Sequence, residues 1–138
     1  MDKCEQSMRA LQNAQGGWSY QSLEKGKPLG STTCAGILSI ALHAGVEVSL
    51  PTANAKSSIY LGTILDEDSQ IDRSRDFILS MLHANCNEKG GDTHVTYFLW
   101  SVQEVAEVLS WRKWNGEDWY DRVLGFSLQN KTRMVVGL

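Results

Sequence analysis

Apolar residues follow two kinds of helical pattern in the first third of the chain. Cys4, Met8 and Leu11 lie at i, i+4 and i+7 within residues 2–14, and this spacing places them on one face of a helix. Residues 35–44 are instead apolar or small at nearly every position. The first pattern predicts an amphipathic helix, and the second predicts a helix that is buried on most sides.

The second helix also has recognisable ends. Ser31 and Thr32 are favourable N-cap residues, because a hydroxyl oxygen can accept a hydrogen bond from a first-turn N–H group. Gly45 is suited to the C-terminal cap. Small residues along the helix, Gly36 among them, would let neighbouring elements approach closely.

The same alternation returns further along the chain. Ile71, Arg75, Ile78 and Leu82 form a stripe with helical period, which predicts an amphipathic helix starting near Ser69. The most apolar and aromatic segment follows and predicts an inner helix that starts at about residue 92 and continues to Leu109.

The last predicted helix starts at about residue 117, after a loop that contains Asn115-Gly116. Residues 46–69 break the pattern, because Pro51 interrupts them, and are interpreted as an irregular insert in which 53–65 can form a helical piece. Alternating amphipathic and apolar helices are typical of stacked helical hairpins with outer and inner layers. The chain is therefore predicted to be all-α, with one repeat segment spanning residues 1–138.

A tight turn after the first helix organises this plan. Gly16-Gly17 can leave a helix through positive φ angles, and Trp18 is placed to fold back onto the helix that it follows. A second glycine pair, Gly90-Gly91, ends the third helix without a tryptophan. The residues assigned to repeat junctions are Gln12, Gly16, Gly17, Trp18 and Gln129.

Several stretches match repeats of a known kind. They are Leu11-Gln12-Asn13-Ala14-Gln15-Gly16-Gly17-Trp18-Ser19-Tyr20, Ser31-Thr32-Thr33-Cys34-Ala35-Gly36, Ala41-Leu42-His43-Ala44-Gly45, Tyr97-Phe98-Leu99-Trp100-Ser101-Val102 and Asn115-Gly116-Glu117-Asp118-Trp119-Tyr120. They resemble the repeats of the prenyltransferase and squalene cyclase superfamily, and the last two resemble a bacterial group whose function is mostly unassigned. The resemblance implies an α/α toroid, in which Gln and Trp at the hairpin turns tie adjacent repeats together.

The chain holds only about two and a half such hairpins, whereas a closed ring of this family needs several more. The resemblance therefore leaves three explanations: part of a longer protein with a larger toroid, a truncated reading frame, or an open arc. Truncation is favoured, because the tail after Asn130 lacks the expected glycine pair and tryptophan, and an open arc would favour self-association or a missing neighbour.

The acidic run Asp66-Glu67-Asp68-Ser69 is the nearest match to the Asp-x-Asp-Asp motif of the cyclases. In those enzymes an aspartic acid must stay protonated away from water to donate its proton. Here the final aspartate is replaced and the run lies in the polar insert. The favoured interpretation is a solvated acidic loop that precedes the third helix, where negative charge is favourable. No catalytic residue is predicted.

Zinc is the other chemistry of the superfamily, whose protein prenyltransferases bind it through Asp, Cys and His. Cys34, Asp92 and His94 can be combined into such a set, but no ligand motif of the family is matched position by position. Cys34 in an apolar helix is better explained as a buried thiol. We therefore predict no metal and no cofactor.

Two sets of aromatic residues remain. Tyr20, Tyr97 and Trp100 can line an inner apolar pocket for a hydrophobic ligand such as a polyprenyl chain, or they can simply fill the core. Trp111 and Trp114 lie in a polar segment and are predicted to mark a contact surface.

Composition narrows the class of function. The chain has 42% hydrophobic and 21% charged residues and a net charge of −3, so no basic excess indicates nucleic acid. No apolar run reaches the roughly 20 residues of a membrane span, and the N-terminal residues lack a signal-peptide pattern, which favours a cytoplasmic protein. Three cysteines in no metal-like spacing are expected to stay reduced.

Together these features predict a binding or scaffold module for an apolar small molecule or a protein partner. An activity of this chain alone is not favoured. The alternative is a fragment of a terpene cyclase or prenyltransferase-like enzyme whose catalytic residues lie on missing repeats.

Overall fold

A computed structural model describes residues 3–21, 26–48, 65–83 and 91–125, most of which are helical. The helices are α1 (Lys3–Ala10), α2 (Gly30–Val48), α3 (Ser69–His83) and α4 (Gly91–Leu109), followed by strands β1 (Lys113–Trp114) and β2 (Glu117–Asp118) and by helical residues 119–125. The prediction of an all-α protein is confirmed. None of the helices in these ranges combines the length and apolar character needed to cross a bilayer.

Helix α2 lies at the centre of the described structure and packs against α1, α3 and α4. The buried apolar side chains at these contacts include Cys34, Ile37, Ile40, Ile71, Ile78, Leu79, Phe98, Val102, Val105 and Leu109. The thiol of Cys34 is thus packed as a small apolar group, as predicted. Leu42 of α2 is 67% exposed, so one side of this helix faces solvent.

The bounds of the helices agree with the sequence pattern in the second half of the chain and less well in the first. Helix α3 starts at Ser69 and α4 ends at Leu109, as the periodicity predicts. Helix α1 ends at Ala10, because the chain then turns sharply through Asn13, whose N–H group bonds to the Gly17 carbonyl oxygen at 2.9 Å. Gly45 is not a C-cap, since α2 continues to Val48.

A small β-hairpin between α4 and residues 119–125 was not predicted. Lys113 pairs with Asp118 and Trp114 with Glu117 in antiparallel register. At the turn, φ is +49° at Asn115 and +86° at Gly116, and two positive φ angles are the signature of a type I′ turn. Asn-Gly is the strongest short-range sequence signal for such a hairpin, so this element could have been found.

Most of the predicted insert, and the predicted junction residue Gln129, lie outside the described residues. The predicted ring of helical hairpins stays a prediction. What the described helices show is a layer of α1, α3 and α4 around α2.

Candidate functional site

The turn after α1 is held by Trp18, whose indole folds back onto that helix as predicted. Its Nε1–H donates to the Met8 carbonyl oxygen at 2.8 Å. The indole also lies against α2, because a Cβ atom added to Gly36 would come within 2.5 Å of the ring. Gly36 is thus the small residue that admits the ring between the two helices.

The first turn of α2 holds the Trp18 backbone on both sides. The Trp18 N–H donates to the Thr33 hydroxyl at 3.1 Å, and the Thr32 hydroxyl donates to the Trp18 carbonyl oxygen at 2.6 Å. Neither Ser31 nor Thr32 is the predicted N-cap, because α2 already starts at Gly30. Leu29 takes that place, since its carbonyl oxygen accepts the first helical bond from the Thr33 N–H at 3.0 Å.

Gln12 joins the same turn to α3. Its side-chain amide nitrogen lies 3.1 Å from the Gly16 carbonyl oxygen, 2.8 Å from the Gln70 carbonyl oxygen and 2.8 Å from the Ser74 hydroxyl. Gly16 has φ +95°, and a Cβ atom there would lie 2.4 Å from the Arg73 carbonyl oxygen. Gly17 does not have the predicted positive φ angle, but a Cβ atom there would lie 2.6 Å from Cβ of Pro28. The structure therefore brings the junction residues Gln12, Gly16, Gly17 and Trp18 together, with contacts that fix backbone positions.

The acidic run before α3 has a structural role in the described residues. Asp68 is the N-cap of α3, since its Oδ1 accepts the Gln70 N–H at 3.0 Å. Its Oδ2 lies 2.7 Å from Nη2 of Arg9, whose Nε lies 2.9 Å from Oε1 of Glu5. Asp66 pairs with the buried guanidinium of Arg75. The expectation of an acidic loop that precedes the third helix is met, but Asp68 is only partly exposed to solvent.

The pKa of Asp68 is shifted in the direction opposite to that needed by a proton donor. Burial by itself raises the pKa of this carboxyl group, but the hydrogen bond and charge of Arg9 and the N–H groups of Gln70 and Ile71 outweigh burial, so the pKa lies below its ordinary value. A cyclase acid needs a raised pKa to hold its proton. Asp68 is therefore suited to an ion pair.

Substituting Asp68 separates its two contributions to stability. Asp68→Asn keeps an N-cap oxygen but removes the charge facing Arg9, and we expect a loss of about 1–2 kcal/mol in the free energy of unfolding at neutral pH. Asp68→Ala removes both, so it should cost about 1 kcal/mol more. Urea unfolding followed by circular dichroism measures both losses.

The pH dependence of the same variants tests the ion pair. A carboxyl group whose pKa is lowered by folding stabilises the protein at pH values above its pKa in the unfolded chain, which is near 3.8. This stabilisation is lost as the pH falls through the pKa of the folded state. The difference between the wild type and Asp68→Asn should therefore shrink below pH 3.8. A difference that is the same at neutral and acidic pH would mean that Arg9 and Asp68 do not interact in solution.

The prediction that Trp111 and Trp114 mark a contact surface is wrong. They are 7% and 0% exposed, with ring centroids 6.0 Å apart in an edge-to-face arrangement. The guanidinium carbon of Arg75 lies 4.6 Å from the centroid of the Trp111 ring, which is a cation–π contact. Asn115 adds a hydrogen bond of 2.7 Å to Oδ1 of Asp76. The hairpin thus docks on α3, and both indoles are buried.

An aromatic groove lies between α4 and residues 119–125, with a volume of about 660 Å³. The residues that line this groove are Thr96, Leu99, Trp100, Gln103, Glu107, Trp119, Tyr120 and Val123. Trp100 is 53% exposed there and lies 5.9 Å from Tyr97, centroid to centroid. The rings of Trp119 and Tyr120 are 5.8 Å apart at 86°. Trp119 and Tyr120 were predicted to lie near the start of the last helix, in a stretch that resembles the superfamily repeats, and not in a groove.

The structure does not bring Tyr20, Tyr97 and Trp100 into one inner pocket. Tyr20 is 80% exposed and lines a second groove of about 370 Å³ beside α1 and α2, together with Leu11 and Ala35. Tyr97 is 50% exposed. These exposures also exclude the alternative that the three residues fill the core, because all three lie at the surface.

Of the three residues considered as zinc ligands, Cys34 alone has a side chain within the described part of the chain. Cys34 is buried among apolar side chains, while the side chains of Asp92 and His94 lie outside the described part of the chain. Among the described residues, no three His, Cys, Asp or Glu side chains are grouped in a way that could hold a metal ion.

Fold and surface together define an all-α protein with a clasped helix junction and aromatic-lined grooves. No family model, curated protein or solved structure matches the chain. The resemblance of its junctions to the prenyltransferase and squalene cyclase repeats is therefore carried by the sequence motifs alone.

Proposed function

We propose that the chain is a binding or scaffold module of the prenyltransferase and squalene cyclase repeat kind, and that it holds an apolar small molecule in the aromatic groove. The observation that carries this proposal is the half-exposed indole of Trp100 beside Trp119 and Tyr120 in one concave surface. A volume of about 660 Å³ is in the range of small-molecule sites.

The composition of the groove supports an apolar ligand. Leu99, Val123 and the three aromatic rings supply apolar surface, and Gln103 and Thr96 supply a few polar groups. Ligand sites commonly combine a largely apolar lining with a small number of polar groups that set orientation. Leaving a large indole in water is unfavourable, and a bound ligand would recover the free energy of covering it.

The alternative is an enzyme fragment whose catalytic residues lie on missing repeats, and the described residues add no support to it. The acidic run is the one motif that invites a proton-donor role, and Asp66 and Asp68 are both engaged by arginines. The lowered pKa of Asp68 suits a permanent charge. A non-catalytic role is thus the better proposal for this part of the chain.

Titration with farnesol, an uncharged prenyl alcohol, tests the proposal by calorimetry. Trp100→Ser should weaken binding about tenfold, because an exposed aromatic contact of about 1.4 kcal/mol is removed. Tyr20→Ser is the matched control, since it removes an exposed ring from the other groove, and it should bind as the wild type does. Unchanged affinity in Trp100→Ser would move the site elsewhere, and no binding by the wild type would refute an apolar ligand of this class.

A further inference from the structure

The aromatic groove also contains a carboxylate. Glu107 lies on α4 two turns after Trp100 and lines the same groove. The amide of Gln103 donates to its Oε1 at 2.9 Å, so the acidic group is tethered by a neighbour that is itself part of the lining. Among the described side chains of this groove, Glu107 is the one that carries a charge.

Three aromatic rings share the groove with this carboxylate. Trp119 and Tyr120 stand at 86° to each other, so their ring faces point in different directions. Trp100 adds a third ring from α4, and it leans on Tyr97 with an interplanar angle of 32°. The face of an aromatic ring carries partial negative charge and attracts cations, tryptophan most strongly.

We propose that the groove binds an organic cation, a ligand whose substituted ammonium group lies against the rings of Trp100, Trp119 and Tyr120 and whose charge is balanced by Glu107. This inference rests on the proposed function, since it uses the same groove, and it names the head group of the ligand. A quaternary ammonium group fits because it is bulky and apolar at its surface and yet charged, which suits aromatic faces and a carboxylate at once.

A pair of isosteric probes separates charge from apolar contact. Choline and 3,3-dimethylbutan-1-ol have nearly the same shape, but only choline is a cation. Titrations followed by the indole and aromatic NMR signals of the groove should show choline binding at least about fivefold more tightly, because the cation–π contacts and the attraction of Glu107 act on the cation alone. The same spectra show whether each variant remains folded.

Two glutamate variants then assign the charge effect. Glu107→Gln should reduce the preference for choline to the part that the aromatic rings supply, while leaving the affinity for the uncharged isostere unchanged. Glu104→Gln is the matched control, because it makes the same substitution one turn earlier on α4 at a residue outside the groove lining, and it should keep the preference.

The remaining outcomes overturn the inference in distinguishable ways. Equal affinity for choline and its isostere, with farnesol still bound, would reject the cation and leave the proposed function in place. A choline preference that survives both Glu107→Gln and Trp100→Ser would place the cation at another site and overturn the assignment. Absence of binding by choline, the isostere and farnesol alike would overturn both proposals.

Discussion

Replacing Trp114 by alanine is expected to lower the free energy of unfolding by about 3–5 kcal/mol, the usual cost of deleting a buried aromatic side chain. Trp114 is 0% exposed and packs edge-to-face on Trp111, so its removal would leave a cavity where the hairpin meets α3. A domain with about 5–15 kcal/mol of stability would lose a large fraction of it. Urea unfolding followed by far-UV circular dichroism measures the change.

Trp100→Ala is the matched control, because it removes the same atoms from a side chain that is 53% exposed. We expect it to cost less than about 1 kcal/mol. Trp114→Phe keeps an aromatic ring and removes an indole N–H that is buried without an acceptor in the structure described, so it should cost less than about 2 kcal/mol. Similar losses for the two alanine variants would contradict the burial of Trp114.

Gly16→Ala is expected to lower the free energy of unfolding by about 2–5 kcal/mol. The residue has φ +95°, which is unfavourable for an L-amino acid by about 1–2 kcal/mol. The new methyl group would in addition lie 2.4 Å from the Arg73 carbonyl oxygen, and relieving this overlap would move the turn away from α3 at a further cost of about 1–3 kcal/mol. The same urea experiment measures it.

Gly116→Ala separates these two contributions. Gly116 has φ +86°, but no atom lies within 4 Å of an added Cβ atom. In this variant only the unfavourable φ angle should lower the free energy of unfolding, by about 1–2 kcal/mol. If Gly16→Ala were no worse than Gly116→Ala, the close contact between the Gly16-Gly17 turn and α3 would not exist in solution.

The helical plan of the chain could be predicted because each helix carries its own pattern. The stripe of Ile71, Ile78 and Leu82 predicted α3, and it even placed Arg75 on the buried face, where the guanidinium lies over Trp111. The clasp formed by Trp18 followed from the glycine pair before it. Local turn chemistry and periodicity are properties of neighbouring residues, so they can be read along the sequence.

The candidate site could not be predicted to the same extent. Trp111 and Trp114 were interpreted as exposed because their sequence neighbours are polar, and the burial of both depends on the docking of a hairpin against α3, which is distant along the chain. Tyr20 and Trp100 were assigned to one pocket, whereas they lie in two different grooves. Which aromatic rings share a surface depends on how the helices pack, and periodicity does not specify that.

The sequence by itself determined the all-α class, the starting point of α3, the end of α4 and the tryptophan clasp after α1, because these depend on spacing and on residues close to one another. Only the tertiary structure decided that Gln12 bonds to α3, that Asp68 faces Arg9, and that Glu107 shares a groove with three aromatic rings. Those contacts join residues on different elements or across a helix–loop boundary, and their geometry exists only once the helices have packed around α2.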